Sequence, residues 1–532
     1  MNKNPIFNEI NRNMRLDNNN SNNISNNISQ NNINNNLNCM NNNINFINNF
    51  NNNNINNNFN NINFINNFNN NNINNNFNNN NFNNNFNNNN FNNNFNNNNF
   101  NNNNSFNNNN FIRNNSFNNN NNNSKNNIND NNPLKKEFKK PPLIGLKNVG
   151  ATCYMNATLQ CLSQIERLVI YFKYHQKVED VIKKYGKKNC LTEPFKVLIE
   201  NLWPTSGNNY IKKKYLGKNS NNIYFIPEEF KEKISEMNPL FKGVQANDAK
   251  DLVNLIIMTL HEELNKYEGN KTIIAKLPNI NNNKSNPDFV LQNFLKIFTK
   301  ENKSIISDLF YGLSHTITNC IQCKIGQHNF EAYFFLIFPL EEVRKYKLQL
   351  VINENLMITN QNNMNMNQIF QQNLKKIQLL QNNQVNILDC FEYNQKQESF
   401  VGENAMYCNI CKKQLPSNYT TYLYSAPPIL ILVLNRGQGI QFKVKLEFYT
   451  ELNLSNFIQL RPNNETINYD LIGVVTHMGE SGSSGHFIAT CKSPIDGLWY
   501  QYNDDLVFRV EDFNNQILNY AMPYILFYQK RA

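Results

Sequence analysis

The first quarter of this chain cannot build a core, which confines any fold to the remainder. From Met1 to about Asn132 the sequence is mostly asparagine, broken by isolated Phe and Ile. In its most regular part Phe77, Phe82, Phe86, Phe91, Phe95 and Phe100 recur at alternating steps of five and four. Such steps match neither the two-residue period of a strand nor the 3.6-residue period of a helix, so no apolar face forms. Asparagine side chains also bond nearby backbone in competition with helix. Residues 1–132 are therefore read as a disordered, low-complexity arm with a tendency to self-associate. The alternative, a solenoid of short repeats, would have almost nothing to bury in each turn.

About 400 residues remain, enough for one large domain or two of medium size. No apolar leader follows Met1 and no run approaches the length of a membrane span, so a secreted or transmembrane protein is not expected. The longest apolar run, PPILILVLN at 427–435, suits a buried strand. The chain has ten cysteines and no leader, so they are read as thiols or metal ligands in a reducing, intracellular compartment, cytoplasmic or nuclear. The net charge of +11 is spread along scattered lysines. Its one dense cluster, KKEFKKPP at 135–142, falls in a basic linker assigned to 133–140. That cluster reads as solvated surface, a localisation signal or a patch for an acidic partner, and it does not support a nucleic-acid partner.

Folded sequence is expected from about Pro141. Leu159, Leu162, Ile165, Leu168 and Val169 place a helical stripe within 153–175, and Leu252, Leu255, Ile256, Leu260 and Leu264 place another within 246–264. From Ser304 onward the chain turns to strand-like stretches, HTITNC, FEAYFFLIFPL, TTYLYSA and ILILVLN. A second Asn/Gln-rich tract, about 349–386, reads as an expanded loop inside the domain. Helices first and strands later indicate an α+β architecture.

Two cysteine pairs carry metal-ligand spacing: Cys320 with Cys323, and Cys408 with Cys411. A two-residue gap lets both sulfurs of a knuckle face one ion, and two knuckles close a tetrahedral site. Thiolates suit zinc, and four of them leave no open position, so one structural Zn2+ and no catalytic metal is the expectation. Four thiols without an ion is the plain alternative. A zinc-dependent DNA-binding finger is disfavoured by the 84 residues between Cys323 and Cys408.

The stretch GLKNVGATCYMNATLQCL, 145–162, holds two further cysteines. Cys153 follows Gly150-Ala151-Thr152, with Thr152 as the N-cap of the first stripe, where a helix N-terminus favours a thiolate. Cys161 lies two turns further on, beside Leu159 and Leu162, and reads as core filling. Among six histidines, His477 and His486 flank a Gly/Ser loop in GVVTHMGESGSSGHFIATC. The turn in WYQYNDDLV then offers Asn503 and Asp504 to accept an imidazole N–H, the arrangement of a Cys/His/Asn relay. Asn148 on the cysteine loop and the backbone N–H of Cys153 can serve a developing oxyanion.

The 145–162 stretch resembles the cysteine box of the ubiquitin-specific proteases, papain-like deubiquitinases, and YDLIGVVTHMGESGSSGHFIATCKSPIDGLWYQYNDDLV resembles their histidine box. QANDAKDLVNLIIMTLHEEL at 245–264 is similar to the helix between them. The resemblance covers roughly 141–530 and implies a papain-like thumb (about 141–300), fingers pinned by zinc (about 304–425, with the 349–386 insert) and palm (mostly 426–530). It implies Cys153 as nucleophile, His486 as general base and then acid, Asn503 as third member with Asp504 beside it, and Asn148 as oxyanion donor. It further implies that Asp248 and Asp251 contact arginines of the ubiquitin tail, with His477 at the cleft and Gly485 ending a mobile loop from Met478. The partners implied are ubiquitin and ubiquitinated proteins. The chain departs from the commonest pattern at Ala151 for Asn, Lys250 for His, Asp251 for the longer Glu, and LNRG at 434–437 for an LKRF-like end of a palm strand. A catalytically inactive scaffold is the other function class, and such members usually lack the Cys or His retained here.

Overall fold

The structure is a computed structural model that describes residues 133–531 apart from 187–188, 206–215, 219–222, 267–284, 359–363, 438–442, 462–464, 480–484 and 520–521. The arm at 1–132, and its reading as disordered, lie outside the described residues.

The first described element is a short helix, α1 (Pro133–Glu137). It lies in the segment read as a linker, yet it packs on the domain. Leu134 is fully buried, and Phe138 sets its edge against Trp203 at 5.3 Å. Glu137 accepts hydrogen bonds from Lys173, Tyr174 and Thr205. The lysines on either side face outward because amphipathic spacing leaves only Leu134 and Phe138 to anchor the segment.

Strand β1 (Ile144–Leu146) leads into a helical layer: α2 (Cys153–Ser163), α3 (Glu166–Tyr174), α4 (Gln176–Tyr185) and α5 (Thr192–Leu202). The helix expected over 153–175 is thus two helices. The chain breaks at Gln164 and Ile165, where the Gln164 amide closes α2 onto Cys161 and Leu162 and Ile165 becomes extended. After β2 (Leu216–Lys218) and β3 (Ile223–Phe225) come α6 (Glu228–Met237) and α7 (Ala249–Leu264). Helix α7 starts three residues later than its apolar stripe suggests because Asp248 caps it, its carboxylate accepting the Lys250 amide. The helical layer ends with α8 (Pro287–Glu301) and α9 (Ile305–Phe310).

Two sheets follow. The first joins β4 (Gly312–Cys320), β5 (Gly326–Tyr333), β8 (Glu398–Phe400) and β11 (Ser417–Ser425) in the order β5-β4-β11-β8. Beyond its tip, β9 (Met406–Cys408) and β10 (Lys413–Leu415) form a separate ribbon. Between β6 (Leu336–Pro339) and β8, the tract read as an expanded loop is instead a helical hairpin, α10 (Leu340–Ile358) and α11 (Met364–Gln381). It is followed by β7 (Gln384–Asn386) and α12 (Ile387–Asn394). The tract's asparagines mask its few buried apolar side chains, among them Val351 and Leu380, while Leu340 and Val343 just ahead of it anchor the start of α10.

The second sheet runs β18-β17-β16-β15-β19-β12-β6. Its members beyond β6 are β12 (Ile429–Asn435), β14 (Glu451–Asn453, paired with β15 off this path), β15 (Asn468–Met478), β16 (His486–Lys492), β17 (Trp499–Asn503), β18 (Leu506–Arg509) and β19 (Pro523–Lys530), while β13 (Lys445–Glu447) pairs with β7. Both of its faces are covered. Ile429, Ile431, Val433, Ile525 and Phe527 join the core under α2. Leu430, Leu432, Leu434, Leu526 and Tyr528 join a second core that includes residues of α10 to α12. A strand buried on both sides has no need of alternating polarity, which explains the unbroken ILILVLN run. Among the described residues no helix is long and apolar enough to cross a membrane.

Candidate active site

The loop between β1 and α2 is built around one side chain. Asn148 Oδ1 accepts the amides of Gly150 at 3.1 Å and Thr152 at 3.0 Å, and the Thr152 hydroxyl at 3.2 Å. Gly150 and Ala151 both take positive φ, 118° and 45°, which turns the chain sharply into α2. Thr152 occupies the N-cap position without capping the helix. Its hydroxyl instead accepts the Val149 amide at 3.0 Å and serves the loop. Cys153 therefore opens α2 at the positive end of the helix dipole, buried to 5% exposure.

Helix α2 packs across β15, β16 and β17, so the thiol meets the start of β16. There His486 Nε2 bonds Asn503 Oδ1 at 2.6 Å, which commits one ring nitrogen to the amide and leaves the other for the thiol. The hydrogen bond with Cys153 pushes the imidazole up to about 9 against the effect of burial, and Asn503 adds to the rise. Asp504 Oδ2 stands 4.0 Å from the same Nε2.

Asn503 pairs with Leu506 across the β17–β18 hairpin, so Asp504 and Asp505 form its turn. Asp504 sits at φ 50°, and its backbone carbonyl accepts the Leu146 amide at 2.8 Å. Gly145 is required opposite this turn, since a Cβ there would lie 2.6 Å from the Asp505 carbonyl oxygen. The Asp504 carboxylate accepts Asn148 Nδ2 at 3.0 Å on one oxygen and Asn156 Nδ2 at 2.8 Å on the other. One hydrogen of Asn148 Nδ2 is so engaged, and the second is available to an oxyanion.

His477 lies on β15, nine residues before His486. It is buried, its ring lies 4.8 Å from Phe487, and burial followed by nearby Arg436 pushes its imidazole down. The two histidines flanking the Gly/Ser loop thus have opposite character. A Cβ at Gly485 would lie 2.3 Å from His477 Cε1, so that position admits no side chain. Asp248 accepts the Tyr524 hydroxyl at 2.7 Å, and the Tyr524 ring lies 5.4 Å from Phe487. Lys250 Nζ stands 3.9 Å from Asp248 and 3.6 Å from Asp251, whose carboxyl burial pushes up.

At the far end of the first sheet the four cysteines converge. The Sγ atoms of Cys320, Cys323, Cys408 and Cys411 all lie within 4.8 Å of one another. Zn–S bonds near 2.3 Å in a tetrahedron imply sulfur separations of about 3.8 Å, and Cys323 and Cys408 stand 3.7 Å apart. Each knuckle ends in a left-handed residue, Lys324 at φ 59° and Lys412 at φ 57°, so the two turns share one geometry. Burial raises the Cys408 thiol, but the amides of Cys411 and Ile410 together with the Cys323 and Cys320 thiols bring it down to about 7, while burial and the neighbouring thiols push Cys411 up to about 12.

A family model, ubiquitin carboxyl-terminal hydrolase, matches residues 144–528, which is 385 of the 532. The chain belongs to this family. Ubiquitin carboxyl-terminal hydrolase 2 of Bos taurus is 24% identical over 397 residues, covering 73% of this chain and 55% of that protein. Usp2 of Drosophila melanogaster is 23% identical over 402 residues, covering 74% of this chain and 36% of that protein. The chain thus spans about half the length, or less, of these relatives. Among solved structures, the SAGA Ubp8/Sgf11/Sus1/Sgf73 DUB module bound to ubiquitin aldehyde is 18% identical with a TM-score of 0.48, over 74% of this chain and 70% of that one.

In this ubiquitin carboxyl-terminal hydrolase family member the residues picked from sequence fall into three places. Cys153, His486, Asn503, Asp504 and Asn148 meet where α2, β16 and the β17–β18 turn converge. Asp248, Asp251, His477 and Gly485 lie beside that point, and the four knuckle cysteines lie together elsewhere. Asn156 joins the first group without any sequence motif to mark it: it is an asparagine one turn beyond Cys153 on a helix whose eleven residues are all buried. Cys161 does lie in the core, but not alone, since Cys491 Sγ stands 3.6 Å from its sulfur.

Proposed function

We propose that this chain is a thiol-dependent deubiquitinase, hydrolysing the isopeptide or peptide bond after the C-terminal glycine of ubiquitin. One observation carries the reading: Asn503 holds His486 at 2.6 Å beside Cys153, whose interaction with the imidazole pushes it up to about 9. A thiolate paired with an imidazolium is the activated nucleophile of acyl transfer. Cys153 attacks the glycine carbonyl, and the oxyanion takes hydrogen bonds from the second hydrogen of Asn148 Nδ2 and from the Cys153 amide. The His486 imidazolium gives its proton to the departing lysine amine, leaving ubiquitin as a thioester on Cys153. His486, now neutral, takes a proton from water as that water attacks the thioester, and the free carboxylate leaves.

Binding follows from the surrounding walls. Asp248 and Asp251 pair with guanidinium groups of the ubiquitin tail. The backbone beside Gly485, closed by the His477 ring, favours a tail that ends in residues without side chains. Cys320, Cys323, Cys408 and Cys411 hold one structural zinc ion that fixes the tips of the two β-ribbons. The thumb, fingers and palm division, with ubiquitin and its conjugates as partners, belongs to the same reading. None of the nine described cysteines is in a disulfide, which fits a reducing intracellular compartment, cytoplasmic or nuclear.

The test is a ubiquitin probe bearing a C-terminal electrophile. The purified chain should be labelled at Cys153, and Cys153→Ala should not be labelled. A chain that stays unlabelled, or a Cys153→Ala variant labelled equally well, would overturn the proposal.

A further inference from the structure

The nucleophile, the oxyanion donor and the imidazole support come from three separate elements, and among the described residues one buried side chain on the first hydrogen-bonds to both of the others. Asn156 lies on α2 one turn beyond Cys153, with 2% exposure. Its Nδ2 donates one hydrogen to the Leu146 carbonyl at 3.0 Å, where β1 enters the cysteine loop. It donates the other to Asp504 Oδ1 at 2.8 Å, in the turn that begins with Asn503. Both hydrogens of the amide are therefore spent on joining elements, while its Oδ1 is buried without a hydrogen-bond partner. An amide kept with only its donor side satisfied is placed for what it donates to, since its unmet acceptor costs stability.

We infer that Asn156 is a positioning residue that sets the register between the thiol, the oxyanion donor and the histidine. The inference rests on the deubiquitinase reading above. Asn156 acts through Asp504. With Oδ1 held by Asn156, the carboxylate offers Oδ2 to Asn148 Nδ2 and so aims the remaining hydrogen of that amide. The same turn carries Asn503, whose Oδ1 orients His486. Asp504 also sits at φ 50°, a conformation that a non-glycine residue keeps only when its surroundings hold it there. The Asn156 and Leu146 bonds to Asp504 supply that hold.

The experiment compares the parent with Asn156→Ala, Asn156→Asp, Asp504→Ala and the Asn156→Ala/Asp504→Ala double variant, on ubiquitin carrying a C-terminal fluorogenic amide. Asn156→Ala should lower kcat at least tenfold with KM within threefold of the parent, and the double variant should lose no more than Asp504→Ala alone. In Asn156→Asp a carboxylate faces Asp504, so its deficit should be larger at pH 8 than at pH 6, where a shared proton restores a donor. That near-isosteric variant decides the matter if Asn156→Ala fails to fold. Alkylation of Cys153 by iodoacetamide at pH 6, read by mass spectrometry, needs no ubiquitin and should slow at least fivefold in Asn156→Ala. Losses confined to KM, additive losses in the double variant, or turnover and alkylation within twofold of the parent would each overturn the inference. A parent that ignores ubiquitin would sink the proposed function instead, and the alkylation rates would still decide the role of Asn156.

Discussion

Replacing Asn503 with alanine removes the 2.6 Å bond to His486 Nε2 and leaves the ring free to rotate. A hydrogen bond to a charged partner contributes about 1.5–3 kcal/mol, and about 1.4 kcal/mol corresponds to tenfold in rate. Two features of the site pull the expectation toward the lower end. The His486 side chain is 38% exposed, so solvent screens part of the interaction, and Asp504 Oδ2 waits 4.0 Å from the same nitrogen. Asn503→Ala should therefore lower kcat/KM by about 10- to 30-fold. The pH profile gives a second reading. His486 is pushed up to about 9, chiefly by Cys153 and then by Asn503, so activity that needs the imidazolium falls as pH rises through about 9. Without Asn503 that alkaline limb should move to lower pH. The same raised value makes the protonated imidazole a stabilising contribution, complete below the ordinary histidine value of about 6.5 and lost as pH climbs through the folded one. Initial rates on a fluorogenic ubiquitin substrate from pH 6 to 10 check both. A change under threefold with an unmoved alkaline limb would refute the reasoning, and so would a loss as complete as that of Cys153→Ala.

Gly485→Ala places a methyl 2.3 Å from His477 Cε1 and 2.7 Å from the Met478 carbonyl oxygen, so kcat/KM should fall at least tenfold. Activity equal to the parent would show that the His477 ring can retreat. Chelation, or Cys411→Ser, should release one zinc per chain by elemental analysis and lower the thermal midpoint by several degrees. No metal in the purified protein would refute the zinc assignment. Cys161→Ala should keep activity within threefold and cost about 1 kcal/mol in denaturant unfolding, while Cys153→Ala should abolish turnover.

The order of elements, the two cysteine knuckles and the Cys, His and Asn of the site were legible in one dimension. Local chemistry writes them there: glycines before a helix, two-residue gaps between thiols, a histidine after a Gly/Ser loop. The both-faces burial of β12 was also legible, because its run of apolar residues leaves no side for water. Other features depend on what comes from far away in the chain. The Asn/Gln-rich tract became a helical hairpin because the second core takes in Leu380 from it and Leu340 and Val343 just ahead of it, against a composition that reads as loop. Helix 153–175 broke at Gln164 for a geometric reason, since no periodicity announces where a helix must bend around a core. Thr152 gave up capping because Asn148 organises the loop around it. Asn156 gained its place only when a turn 348 residues later supplied a carboxylate. Which groups could do chemistry was written locally, since reactivity belongs to residue type and near neighbours. How they are held came with packing, because hydrogen bonds between distant segments exist only once the segments meet.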